Sequence, residues 1–158
     1  MATEDLQLPV YRLRHNPNIE QSMKGDDVLA FDLDAKPARV LVGETKFRSR
    51  PRRKDVEDIV EQLLKSEKAR IPASLQFVAD LVRLEGDEDL AEQIEDLQFE
   101  LGRAHPNIEY VGLLLGPDTA AHIVKTYTPT VAPRRLTMIS LSVPDLEACV
   151  DACFRTLV

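Results

Sequence analysis

Apolar positions change their period several times along this chain, and the changes mark where strands give way to helices. Leu8 to Leu13 alternates weakly among strand-forming residues and predicts a first strand, followed by an irregular stretch from His15 to Gly25. DVLAFDL, Asp27 to Leu33, and ARVLVGETK, Ala38 to Lys46, are β-rich runs joined by the polar bridge Asp34 to Pro37, which predicts a hairpin. Beyond Ser49 the period turns helical: Val56, Ile59, Val60, Leu63 and Leu64 recur at i, i+3, i+4, i+7 and i+8, with Pro51 in the first turn. Two further helices are predicted, Pro72 to Leu84 with Leu75, Val78, Ala79 and Val82 inward, and Asp87 to Gly102 with Leu90, Ile94, Leu97 and Leu101 inward. IEYVGLLL, Ile108 to Leu115, is a nearly unbroken apolar run between Pro106 and Pro117, the mark of a central strand covered on both faces. Thr119 to Pro133 reads as loop and Leu136 to Val143 as a last strand. Pro144 opens a final helix with Leu146, Cys149, Val150, Cys153, Phe154 and Leu157 on one side. The order β-β-β-α-α-α-β-β-α is an α/β arrangement, a mixed sheet flanked by helices.

Composition narrows the function classes. The 158 residues suit one domain, taken as 1–158, with one core. A net charge of −7 argues against nucleic-acid binding over the whole surface, so any basic contact is local. Cys149 and Cys153 have no second Cys or His pair beside them, which argues against a zinc site or a disulfide framework and predicts two core residues on one helix face. No apolar run approaches a membrane span, and MATEDLQLP lacks the pattern of a secretion signal, so a cytoplasmic location without membrane contact is expected. Eight of the sixteen residues from Glu85 to Glu100 are acidic, whereas six of the nine in KFRSRPRRK, Lys46 to Lys54, are basic. The two charges are segregated along the chain.

The hairpin carries the chemistry. A turn centred on residues 35 and 36 sets Phe31 across from Val40, Leu29 across from Val42 and Asp32 across from Arg39. The same register sets Asp27 opposite Glu44, and the two-residue alternation brings Lys46 out on the face of Glu44. Facing carboxylates repel unless a cation lies between them, and a pair of hard oxygen donors suits Mg²⁺ or Mn²⁺ with water and a phosphate filling the other positions. Lys46 is then placed to orient or deprotonate an attacking water, or to stabilise charge on a phosphorane-like transition state. A register slip of one residue would substitute Asp26 for Asp27. Gly43 permits backbone or ligand to approach Glu44. Arg48, Arg50, Arg52, Arg53 and Lys54 form a strip suited to backbone phosphates rather than base reading.

Asp27-Val28-Leu29-Ala30-Phe31 followed by Gly43-Glu44-Thr45-Lys46-Phe47 resembles the D…(D/E)xK signature of the restriction-endonuclease-like nuclease superfamily. Within it, the pattern from Gly25 to the C-terminus is most similar to the HamA-like nuclease subunits of Hachiman anti-phage systems. The resemblance implies a restriction-endonuclease-like sheet, Mg²⁺-dependent DNA cleavage, and a helicase partner that controls it. Its metal-binding acids map to Asp27 and Glu44 and its catalytic lysine to Lys46. Such folds commonly begin with a helix that adds another acid; here Glu20 is the candidate, and activity that depends on a partner is open. The expected function is thus a DNA endonuclease or nickase, with a homodimer also open. The rival is a non-catalytic subunit that uses the same fold to bind DNA or a helicase.

Overall fold

The computed structural model describes residues 26–72, 74–103, 107–127 and 129–155. Strand β1 (Val28–Asp32) and strand β2 (Arg39–Phe47) form the expected hairpin. Three helices follow, α1 (Arg53–Ala69), α2 (Leu75–Leu84) and α3 (Glu88–Arg103), then β3 (Asn107–Gly116), α4 (Thr119–Thr126), β4 (Leu136–Ser142) and α5 (Leu146–Arg155). The sheet order is β1-β2-β3-β4, with β1 antiparallel to β2 and the other neighbours parallel. This is the mixed α/β sheet the sequence predicts. The strand expected over Leu8 to Leu13 lies outside the described residues.

The core lies on one side of the sheet. Leu29 and Phe31 of β1, Val40 and Val42 of β2, and Ile108, Tyr110 and Leu114 of β3 are buried there, under Val56, Ile59, Val60 and Leu63 of α1. Burying such a side chain stabilises by roughly 1.5–3 kcal/mol, whereas an exposed ion pair is worth about 0–1 kcal/mol. The apolar stripe, not surface charge, therefore fixes where α1 crosses the sheet. Gly112 permits that crossing, since a Cβ there would collide with Met138 Sδ and approach Ile59 Cγ2 to 2.7 Å. Leu75, Val78, Ala79 and Val82 of α2 are buried with Ala91, Ile94, Leu97 and Leu101 of α3, on the faces their spacing predicts.

Three expectations need correction. Thr119 to Pro133 is not all loop: its first part is α4, which packs beside β3 and β4 and buries Ala120. β3 is central, but its burial alternates strictly, and on the other sheet face Ile139 and Leu141 of neighbouring β4 are 45% and 52% exposed. Among the described residues, then, the sheet is well covered on one face only. Cys149 is exposed on α5 rather than buried, because an apolar helix face does not specify what covers it. Among the described residues, no helix is long and apolar enough to cross a membrane.

Candidate active site

β1 has five residues and β2 nine, so the C-terminal part of β2 runs past its antiparallel neighbour. The outermost pair of the hairpin is Val28 with Gly43, which leaves Asp27 one step beyond the paired residues of β1. The observed pairs Leu29 with Val42, Phe31 with Val40 and Asp32 with Arg39 are those the sequence predicts. Asp27 is exposed, and its Oδ2 accepts the Thr45 N–H at 2.9 Å and the Thr45 hydroxyl at 3.2 Å. A carboxylate thus continues the strand ladder in place of backbone and is held beside the residue that separates Glu44 from Lys46. Asp26 has a different environment. It is 8% exposed, its Oδ1 accepts the Ser66 hydroxyl at 2.6 Å, and its own N–H donates to Ser74 Oγ at 3.0 Å. Those bonds tie the entry of β1 to the end of α1 and the start of α2. Gly43 does give room for close approach, but the atom that approaches is Val28 Cβ, 2.9 Å from where a Gly43 Cβ would lie.

Glu44 and Lys46 continue the face of Val40 and Val42, with Glu44 registered against Gly112 and Lys46 against Leu114 of β3. Beyond the strand the chain reverses into α1, and Lys46 Nζ donates to Asp58 Oδ2 at 3.0 Å. A family model described as HamA matches residues 2–157. The chain belongs to the HamA family. The Hachiman protein HamA of Bacillus cereus is 43% identical to this chain over 152 residues, covering 96% of the chain and 54% of that protein. The chain therefore spans about half the length of this HamA relative. The matched region contains the whole described fold, including Asp27 and the strand that carries Glu44 and Lys46.

Around the HamA-family strand pair, the basic strip divides into two sets. Arg48 Nε pairs with Asp55 Oδ1 at 2.6 Å, and Arg53 Nε pairs with Glu57 Oε1 at 3.1 Å while its guanidinium lies 5.4 Å from the centre of the Tyr127 ring. Among the described residues, Arg50, Arg52 and Lys54 pair with no carboxylate. Asp55 also accepts the Arg52 N–H at 2.8 Å, closing the first turn of α1. Burial pushes the Asp55 carboxyl up, but the Arg48 side chain, the Arg52 N–H and the charges of Arg48 and Lys46 outweigh burial and hold it below the ordinary carboxylate value. A carboxyl held low in the folded state contributes stability above its unfolded pKa and loses that contribution as pH falls through its folded pKa. Urea unfolding should therefore show the parent losing more stability than Asp55→Asn between about pH 5 and about pH 2. Equal losses would mean that Asp55 is not stabilised by these partners.

Glu20 lies outside the described residues. Among those described, no three His, Cys, Asp or Glu side chains converge as a metal cluster. Mg²⁺ is commonly held by one or two carboxylates with water and substrate phosphate, so the donor chemistry of Asp27 and Glu44 suits it without a third acid. Sequence reading missed Asp58. The signal was present, because basic residues two apart at and just past the end of β2, Lys46 and Arg48, meet acids three apart on the returning helix, Asp58 and Asp55.

Proposed function

We propose that this chain is a Mg²⁺-dependent DNA endonuclease or nickase domain that acts in Hachiman anti-phage defence, with a helicase subunit as partner. What supports this reading is the hairpin register: its outermost pair is Val28 with Gly43, so one further step brings Asp27 toward Glu44, and Lys46 shares the strand face of Glu44. Membership of the HamA family supports the defence role. In this reading Asp27 and Glu44 hold Mg²⁺ or Mn²⁺, and the cation when bound supplies charge neutralisation at the scissile phosphate. The Thr45 N–H and hydroxyl keep the Asp27 carboxylate at its post. Lys46 directs its ammonium toward the phosphate and stabilises negative charge that grows as the P–O bond breaks. Arg50, Arg52 and Lys54, with Arg48 and Arg53 beside them, hold flanking backbone phosphates and read no bases.

The test is nicking of supercoiled plasmid by the full chain with its helicase partner. The parent should nick with Mg²⁺ and stop with EDTA, and Glu44→Ala should reduce the rate by roughly 100-fold or more. Parallel preparations of parent and Glu44→Ala that cleave equally would overturn the metal assignment. Salt-sensitive DNA binding without cleavage would favour a non-catalytic DNA-binding subunit.

A further inference from the structure

The cluster at the end of β2 contains an acid that neither the D…ExK pattern nor the paired strands account for. Asp58 sits on α1, one turn beyond Asp55, and its Oδ2 lies 3.0 Å from Lys46 Nζ. The Lys46 side chain is only 17% exposed and that of Asp58 35%, so the bond lies partly out of water, where a charge-assisted contact is stronger than on an open surface. Lysine has four rotatable side-chain bonds and, left alone, would spread its ammonium over many positions. Here the amine has one fixed neighbour on a rigid element. Val56 and Ile59, which bracket Asp58, are fully buried against the sheet, as is Val60 nearly so, and they set the height and rotation of α1. The core therefore determines where the Lys46 ammonium is held.

We infer that Asp58 is a positioning residue for Lys46: it fixes the ammonium at the end of β2, two residues past Glu44 on the same strand face. The inference rests on the nuclease reading for its catalytic consequence. Asp58 does not touch substrate. It acts through Lys46, so its loss should lower turnover while leaving DNA affinity in place. The neighbouring pair of Arg48 with Asp55 adds a second contact between the segment that leaves β2 and the first turn of α1.

Plasmid cleavage by the full chain with its partner tests this with Asp58→Ala, Asp58→Asn, Lys46→Ala and the double variant Lys46→Ala/Asp58→Ala. Asp58→Ala should lower kcat by roughly 10- to 100-fold with KM for DNA changed less than about twofold. Asp58→Asn, whose amide oxygen still accepts from the ammonium, should recover part of that loss. The double variant should be no slower than Lys46→Ala alone, because the acid works only through the amine. Multiplicative losses in the double variant, or parental turnover in Asp58→Ala, would overturn the role of Asp58 while leaving the nuclease reading intact. Undiminished cleavage by Lys46→Ala, or none by the parent, would overturn the nuclease reading instead. The contact itself then stands or falls on a proton–nitrogen spectrum of the ¹⁵N-labelled chain: a Lys46 ammonium signal lost in Asp58→Ala supports it, and an unchanged signal refutes it.

Discussion

Lys46→Ala is expected to cut the rate of DNA cleavage by roughly 100- to 10,000-fold while leaving melting temperature and DNA affinity near parental values. The size follows from where the charge is needed. Transition-state charge on a phosphoryl group is stabilised most by a donor that is already oriented, and the Lys46 ammonium is held 3.0 Å from Asp58 Oδ2 at the end of a buried strand. Stability should change little, because a partly exposed ion pair contributes about 0–1 kcal/mol and the neighbouring core residues on β2, Val40 and Val42, are untouched. Lys46→Arg should not restore the rate, since a planar guanidinium cannot put one compact charge at the same point. Single-turnover cleavage at saturating DNA measures this directly. A loss expressed only as weaker DNA binding would assign Lys46 to the phosphate strip rather than to the reaction.

Reversing charge at Arg52 and Lys54, whose side chains pair with no carboxylate among the described residues, should have the second-largest effect. Arg52→Glu/Lys54→Glu is expected to weaken binding to duplex DNA by roughly 10- to 100-fold near physiological salt, and to reduce the slope of log affinity against log salt by about 2. Arg53→Ala should do much less. Its guanidinium is already committed to Glu57 and to the face of Tyr127, so releasing it for a phosphate would first require breaking those contacts. Fluorescence anisotropy across a salt series distinguishes the two cases. If Arg53→Ala and the charge reversal weaken binding alike, the division of the strip into paired and unpaired sets does not govern DNA contact. The acidic net charge of the chain, −7, sharpens the expectation, because there is little background attraction to mask a local loss.

What the sequence made legible was the register of the hairpin. Leu29 and Phe31 against Val42 and Val40 leave one workable pairing, since a slip of one residue would turn the apolar set toward water. The three central helices were legible for the same reason: their apolar spacing specifies one buried face each. α4 was not, because TAAHIVKT mixes strong and weak helix formers over only eight residues and is followed by prolines at 129 and 133. Nor did spacing say what would cover an apolar face, which is why Cys149 is exposed where burial was expected. Asp58 and the division of Asp26 from Asp27 lay further from reach. The first depends on the crossing of α1 over β2, and the second on Ser66 and Ser74, which meet Asp26 across 40 and 48 residues of chain.

In the nuclease reading, Asp27 and Glu44 share one cation. Crystals of the full chain soaked in Mn²⁺ and measured for anomalous scattering test it most directly. A peak is expected in contact with carboxylate oxygens of both Asp27 and Glu44, at roughly 2.1 Å, and it should disappear in Glu44→Ala. Manganese bound elsewhere, with none between these two side chains, would contradict it.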